Sequence, residues 1–227
     1  MGDLGPPADS VNGRYLANLA RKDWLQNLQT AYFRQRVALH HPRVKSHYVR
    51  YFGITSKNTH FIEQAARVLL GAEAVDRAEA HLAERIDAAM REIDGATVRA
   101  KTLLEAEGVT ATPEYAQEPL EVEAKWTSPK MARYLELMIK ADRMLTLLEA
   151  LRLCGAITTN AYDRQVALVI RQVATVPRVA LNLTMGLRKR ANRTPAAPEG
   201  AQAPAVGDRE EAATPIEAPS TPSAIAA

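Results

Sequence analysis

The sequence predicts a mainly α fold with long antiparallel helices and at most two short strands. Three observations predict it. Apolar residues recur every three, four or seven positions over three long stretches, about 72–107, 129–154 and 159–193, the spacing of one buried helix face. Alternation of apolar and polar residues is confined to two short stretches, near 34–41 and 120–126, which is the strand period. Gly71, Gly108 and Gly155 fall at the ends of the helical stretches, where a helix is expected to stop.

In chain order, residues 12–33 are expected to be helical, marked by Leu16, Leu19, Leu25 and Leu28. In the first strand Val37 and Leu39 face one way, and Arg34, Arg36, Ala38 and His40 the other. Pro42 then suits a first helical position, which needs no amide donor. Val44, Tyr48, Tyr51 and Phe52 form a helix stripe, and Gly53 is expected to stop that helix. Thr55 or Ser56 would cap the next helix, with Lys57 and Asn58 in its first turn and Phe61, Ile62, Ala65, Ala66 and Leu69 along its apolar face.

A long helix follows to about Glu107, with Val75, Leu82, Ile86, Met90, Ile93, Ala100 and Leu104 inward. "LEVEAKW" puts Leu120, Val122, Ala124 and Trp126 on one face of a second strand, with Glu121, Glu123 and Lys125 on its wet face. Ser128 caps a helix with Pro129 in its first position and Met131, Leu135, Met138, Leu145 and Leu148 inside. The last helix, about Thr159 to Arg193, is expected to bend at Pro177, which lacks an amide donor. Its "RKRANR" end places cations at a helix C-terminus.

Charge is distributed unevenly over the 227 residues. Residues 194–227 hold five acidic residues and one arginine, so 1–193 carry 28 basic and 21 acidic side chains, a net of +7. Residues 24–62 contain no Asp or Glu, yet hold Arg34, Arg36, Arg43, Lys45, Arg50 and Lys57. A solvated face normally mixes signs, so this segment points to an anionic partner, nucleic acid first. The tail 194–227, rich in Ala, Pro and Glu, buries too little apolar surface to fold and is expected to be disordered.

Other chemistry leaves no mark. The lone Cys154 excludes a disulfide framework within the chain. His40, His41, His47 and His60 match no standard zinc spacing. Phosphate loops, nucleophile elbows and His-Glu-x-x-His are missing, so neither an enzyme nor a bound cofactor or metal is expected. The opening MGDLGPPADS has neither part of a secretory signal, and no apolar run approaches the roughly 20 residues of a membrane span. A cytoplasmic protein without a membrane partner is expected.

Strand, short helix, turn and second helix, in "RVALHHP", "VKSHYVRYFGITSKN" and "FIEQAARVLL", resemble the ribbon-helix-helix DNA-binding fold. That resemblance implies a homodimer on double-stranded DNA, with strands paired between chains. Arg34, Arg36, Ala38 and His40 would then face base edges, where an arginine fork suits guanine and Ala38 can only touch a thymine methyl. Arg43, Thr55, Ser56, Lys57 and Asn58 would meet phosphate, as a helix N-terminus does. Further along, "VEAKWTSPKMARYLELMIKADRMLTLLEALRLCGAIT" resembles the AcaB-like family of conjugative-element proteins. That family includes transcriptional activators of transfer genes. The resemblance implies a sequence-specific regulator of conjugation, with RNA polymerase or another regulator as further candidate partners; whether the long helices bind an inducer is not written in the sequence.

The implied organisation is an N-terminal extension (1–33), a ribbon-helix-helix-like part (34–71), a long-helix bundle (72–193) and the tail (194–227). A rival reading pairs strand 37–41 with 120–126 inside one chain. The protein would then be a non-catalytic helical adaptor or accessory protein of a conjugation or plasmid-maintenance assembly.

Overall fold

Gly71, Gly108 and Gly155 all have positive φ, between 66° and 83°, and each breaks the helical run where the sequence places a stop. The elements between them come from a computed structural model that describes residues 10–21, 23–27, 30–111 and 113–193. They are α1 (Val11–Arg21), a 3₁₀ turn (Trp24–Asn27), β1 (Phe33–Leu39), α2 (Pro42–His60), a π-helical turn (Phe61–Ala65) and α3 (Ala66–Leu70). After Gly71 come α4 (Ala72–Ala106), β2 (Leu120–Trp126), α5 (Pro129–Leu153) and α6 (Thr159–Ala191). The tail 194–227 and Leu28 lie outside the described residues.

The two strands pair with each other. β1 and β2 run antiparallel in a two-stranded sheet, from Phe33 opposite Trp126 to Leu39 opposite Leu120. The within-chain pairing is therefore the one observed, and β2 occupies one edge of β1. Val37, Leu39, Leu120, Val122 and Ala124 point into the core, and each buried aliphatic side chain contributes about 1.5–3 kcal/mol.

A second difference lies in α2. The expected stop at Gly53 is absent, and one helix continues from Pro42 to His60, then through the π-helical turn into α3. Thr55, Ser56 and Asn58 are buried within it rather than capping a new helix. Thr55 Oγ1 donates to the Tyr51 carbonyl at 2.8 Å, as hydroxyls do in helix interiors. The inward face runs on through Val44, Tyr48, Phe52, Ser56 and Thr59, so packing outweighs the roughly 1 kcal/mol a mid-helix glycine costs. The expected helix over 12–33 is also shorter: it ends at Arg21, and Asp23 Oδ1 accepts from the Leu25 amide at 3.3 Å.

α5 is the central helix. Ser128 caps it by accepting from the Lys130 amide. Tyr134, Leu135, Leu137, Met138, Ala141, Met144, Leu145, Leu148 and Leu151 are all buried, so it is covered on most sides. α6 runs antiparallel to α5 and to α4. α4 and α5 instead run the same way, joined by ion pairs of Glu79 with Lys130 (2.8 Å), Asp87 with Arg133, and Asp94 with Lys140 (2.8 Å). The link carrying β2 returns the chain to the starting end. Residues from 34–71 and from 72–193 share one core cluster, so Gly71 marks a break between helices and not between cores. α6 continues through Pro177, which is buried.

α6 is long and apolar enough to cross a membrane by length and composition. Its Val169, Val173, Val176 and Ala180 lie in the shared core. Gly186, inside α6, has open space where the methyl group of an alanine would project, so Gly186→Ala is expected to stabilise the protein by about 0.5–1 kcal/mol. Gly155→Ala, at φ 83°, is expected to destabilise it by about 1 kcal/mol. Urea unfolding of both variants checks the pair, and a loss of stability in Gly186→Ala would contradict a helical residue 186.

Candidate nucleic-acid interface

The corner between β1 and α2 is fixed by a carboxylate from α5. Asp142, 4% exposed, accepts from the His40 amide (3.0 Å) and the His41 amide (2.8 Å), and its Oδ2 lies 3.1 Å from His40 Nδ1. These are amides at the start of α2, where a negative charge also complements the helix dipole. His41 caps α2 by accepting from the Arg43 amide at its Nδ1, 3.1 Å away. Lys45, 1% exposed, donates to the Glu118 carbonyl at 2.6 Å. Burial lowers its pKa, opposed by Asp142.

The four histidines of this segment are accounted for locally. His40 and His41 hold the corner, and His60 stacks obliquely on Trp24, ring centres 5.3 Å apart. His47 shares a 2.9 Å hydrogen bond with the fully buried Tyr134 hydroxyl. Burial, with Arg50 nearby, pushes His47 down to about 4, and burial raises the Tyr134 phenol well above its usual value. Both groups are neutral at pH 7.

The outward face of the ribbon carries Arg34, Arg36 and Ala38, all exposed. Its register sets Lys125 opposite Arg34, Glu123 opposite Arg36 and Glu121 opposite Ala38. Arg34 reaches diagonally to Glu123, 4.0 Å away, and Lys125 pairs with Asp23 at 2.7 Å. The segment that lacks acid along the chain thus meets two carboxylates across the sheet. His40 is held by Asp142, so it is committed to the corner rather than projecting with the arginines.

The expected phosphate residues separate into two groups. Thr55, Ser56 and Asn58 are buried in the middle of α2, where amides serve the helix itself; no helix N-terminus exists there to hold a phosphate. Arg43 and Lys57 are exposed, and Arg50 lies midway between them. Seven residues are two helical turns less 20°, so Arg43, Arg50 and Lys57 form one outward row. No carboxylate lies on α2, and among the described residues none of the three has an ion pair. Beside this row, a cleft of about 560 Å³ separates α2 from α1 and β2; Arg50 and Lys57 border it opposite Asp23, Glu121 and Glu123.

The fold and this face define a class: a helical bundle with a two-stranded ribbon from a single chain, docked at the start of a basic helix. The fold is similar to that of AcaB from uropathogenic E. coli, whose crystal structure superimposes with a TM-score of 0.67. The match covers 72% of this chain and 84% of AcaB at 20% sequence identity. The chain therefore has the AcaB-like fold expected from its sequence. No family model and no curated protein matches it.

Two measurements probe the corner and the core beside it. Asp142→Asn turns an NH₂ group toward donors and removes the charge facing Lys45, so a loss of about 2–4 kcal/mol in urea unfolding is expected. His47 binds a proton less readily folded than unfolded. Its stability contribution is therefore full above pH 6.5 and falls away as pH drops toward about 4, by on the order of 3 kcal/mol. His41, also lowered by burial, acts with the same sign. A His47→Gln variant should show a shallower stability loss over that window; an unchanged profile would remove His47 from the account.

Proposed function

We propose that the protein is a DNA-binding transcriptional regulator acting in the cytoplasm on conjugation or transfer genes of a mobile element. The observation that carries this reading is the α2 row of Arg43, Arg50 and Lys57, exposed on a helix without a carboxylate. Cations so arranged neutralise phosphates and release counterions, which is the sequence-independent share of DNA binding. The AcaB-like fold supports the same reading through the family's regulators of transfer genes.

Base reading falls to the ribbon face, with a composition unlike a purely basic reader. Arg34 and Arg36 supply forks for guanine, while Glu121 and Glu123 are acceptors suited to cytosine N4. The glutamates also raise the cost of approaching DNA without a matching base, which favours selectivity over raw affinity. The second copy belongs to the proposal too. Among the described residues no strand pairs with the outer edge of β1, and Phe33 at its start is 74% exposed. Pairing two β1 edges about a two-fold axis would give a four-stranded ribbon and select repeated half-sites.

The adaptor reading keeps one observation in its favour, the completion of the sheet within a single chain. DNA capture from fragmented genomic DNA with the purified protein separates the two. Specific fragments retained at physiological salt support the regulator; a monomer by sedimentation that retains none supports the adaptor.

If roughly five phosphates are neutralised per pair of chains, log K should fall against log salt with a slope of about −4 to −5. Arg36→Ala is expected to cost about 1–3 kcal/mol in discrimination, whereas Lys57→Ala should weaken all sequences alike. Competition binding on preferred and scrambled duplexes reads both. Selectivity unchanged in Arg36→Ala would take the ribbon out of base reading.

A further inference from the structure

The net charge of residues 1–193 is concentrated on two helices. Residues 159–193 carry Arg164, Arg171, Arg178, Arg188, Lys189, Arg190 and Arg193 against the single acid Asp163, a net of +6. Residues 42–60 add Arg43, Lys45, Arg50 and Lys57 with no acid, a net of +4. The rest of 1–193 is therefore net negative, since the total is +7. The two cationic helices are not distributed around the bundle; they are neighbours.

α2 and α6 lie side by side and run in the same direction. At one end the His41 Nε2 is 3.4 Å from the Tyr162 hydroxyl; at the other, Thr184 Oγ1 donates to the Asn58 carbonyl at 3.4 Å. Just beyond, the Arg188 guanidinium sits over the Phe61 ring, 4.6 Å from its centre. Both helices bury one face on the bundle, α6 through Val166, Val169, Val173, Val176, Ala180, Thr184 and Leu187. Opposite that face, Arg164, Arg171 and Arg178 are exposed at seven-residue steps, the same step as Arg43, Arg50 and Lys57 on α2. Among the described residues these three arginines of α6 have no ion pair.

We propose that α2 and α6 together form a two-row docking surface for the phosphate backbone of double-stranded DNA, with Arg164, Arg171 and Arg178 as its second row. The proposal rests on the DNA-binding reading above and assigns most of the backbone contact to helices rather than to the ribbon. Within a row, successive cations are about 10.5 Å apart along the axis, at 1.5 Å per residue. Packed helix axes are about 8–10 Å apart, of the same order as the roughly 12 Å major groove. Arginine suits a fixed row of this kind because its fork bonds phosphate oxygens in pairs. The rows also explain why surface positions on a core helix are kept at one sign, where a solvated face mixes them.

The test uses the full chain and a mixed-sequence fluorescent duplex of about 30 base pairs, titrated at several salt concentrations. Three variants are compared with wild type: Arg164→Gln/Arg171→Gln/Arg178→Gln, Arg43→Gln/Arg50→Gln/Lys57→Gln, and Arg34→Gln/Arg36→Gln. Each lost phosphate contact should flatten the log–log salt slope by about 0.9. With about five phosphates per pair of chains shared mainly by the two rows, the α6 variant is expected to lose about two units of slope, and roughly tenfold to hundredfold in affinity at physiological salt. The ribbon variant should change the slope by less than either helix variant. Wild-type binding with an unchanged α6 variant would overturn the second row while leaving the DNA reading intact. A wild type that binds no duplex at low salt would remove the DNA reading itself. Thermal unfolding monitors the fold of each variant; should the α6 triple variant unfold early, Arg171→Gln alone, with about one unit of slope expected, decides the matter.

Discussion

The buried carboxylate of Asp142 is the constraint on which the rest of the arrangement depends. It gathers the His40 and His41 amides and the His40 ring at the point where β1 gives way to α2. A charge this deep is costly unless its hydrogen bonds are filled, so the corner has little freedom once α5 is in place. From that corner β1 runs outward to pair with β2, and α2 runs along the bundle against α6. The direction of the ribbon and the direction of the basic helix are both set there.

Much of the fold is legible in the sequence because its signals are local. The helical stripes of α4 and α5, the Ser128–Pro129 start and the stops at Gly71, Gly108 and Gly155 rest on properties of a few neighbouring residues. The inward and outward faces of both strands are legible for the same reason. Gly53-Ile54-Thr55-Ser56 reads as a stop and a cap because those residue types favour turns when isolated. In the folded chain Thr55 and Ser56 meet a core, and tertiary packing overrides the local preference. Asp142 does not stand out in the sequence, since nothing in its own neighbourhood shows that it will sit against residues a hundred positions earlier.

The electrostatics of the candidate site meet the same limit more sharply. An acid-free run of residues is a statement about one dimension. Glu121 and Glu123 enter the picture only through the register of the sheet, and they change a basic strand into one of mixed sign. Conversely, the seven cations of residues 159–193 are diluted in sequence by valines and alanines, so no basic run spans that helix. Only the seven-residue step, laid on a helix beside α2, turns Arg164, Arg171 and Arg178 into a row. Placement by fold subtracts charge from the ribbon and adds it to the helices.

The ribbon joins residues far apart in the chain: Leu39 pairs with Leu120 and Phe33 with Trp126. During synthesis β1 therefore emerges well before its partner exists. At about 5–20 residues per second it waits roughly 4–16 seconds with both edges open. An unpaired apolar strand in that interval is a site for contact with other nascent chains. Arg34 and Arg36, next to Val37 and Leu39, place two like charges on each exposed copy, and such flanking charges act as gatekeepers against association. The arginines of β1 therefore have work to do before the protein is folded at all. Their carboxylate partners arrive with β2, at the moment when the protection is no longer needed.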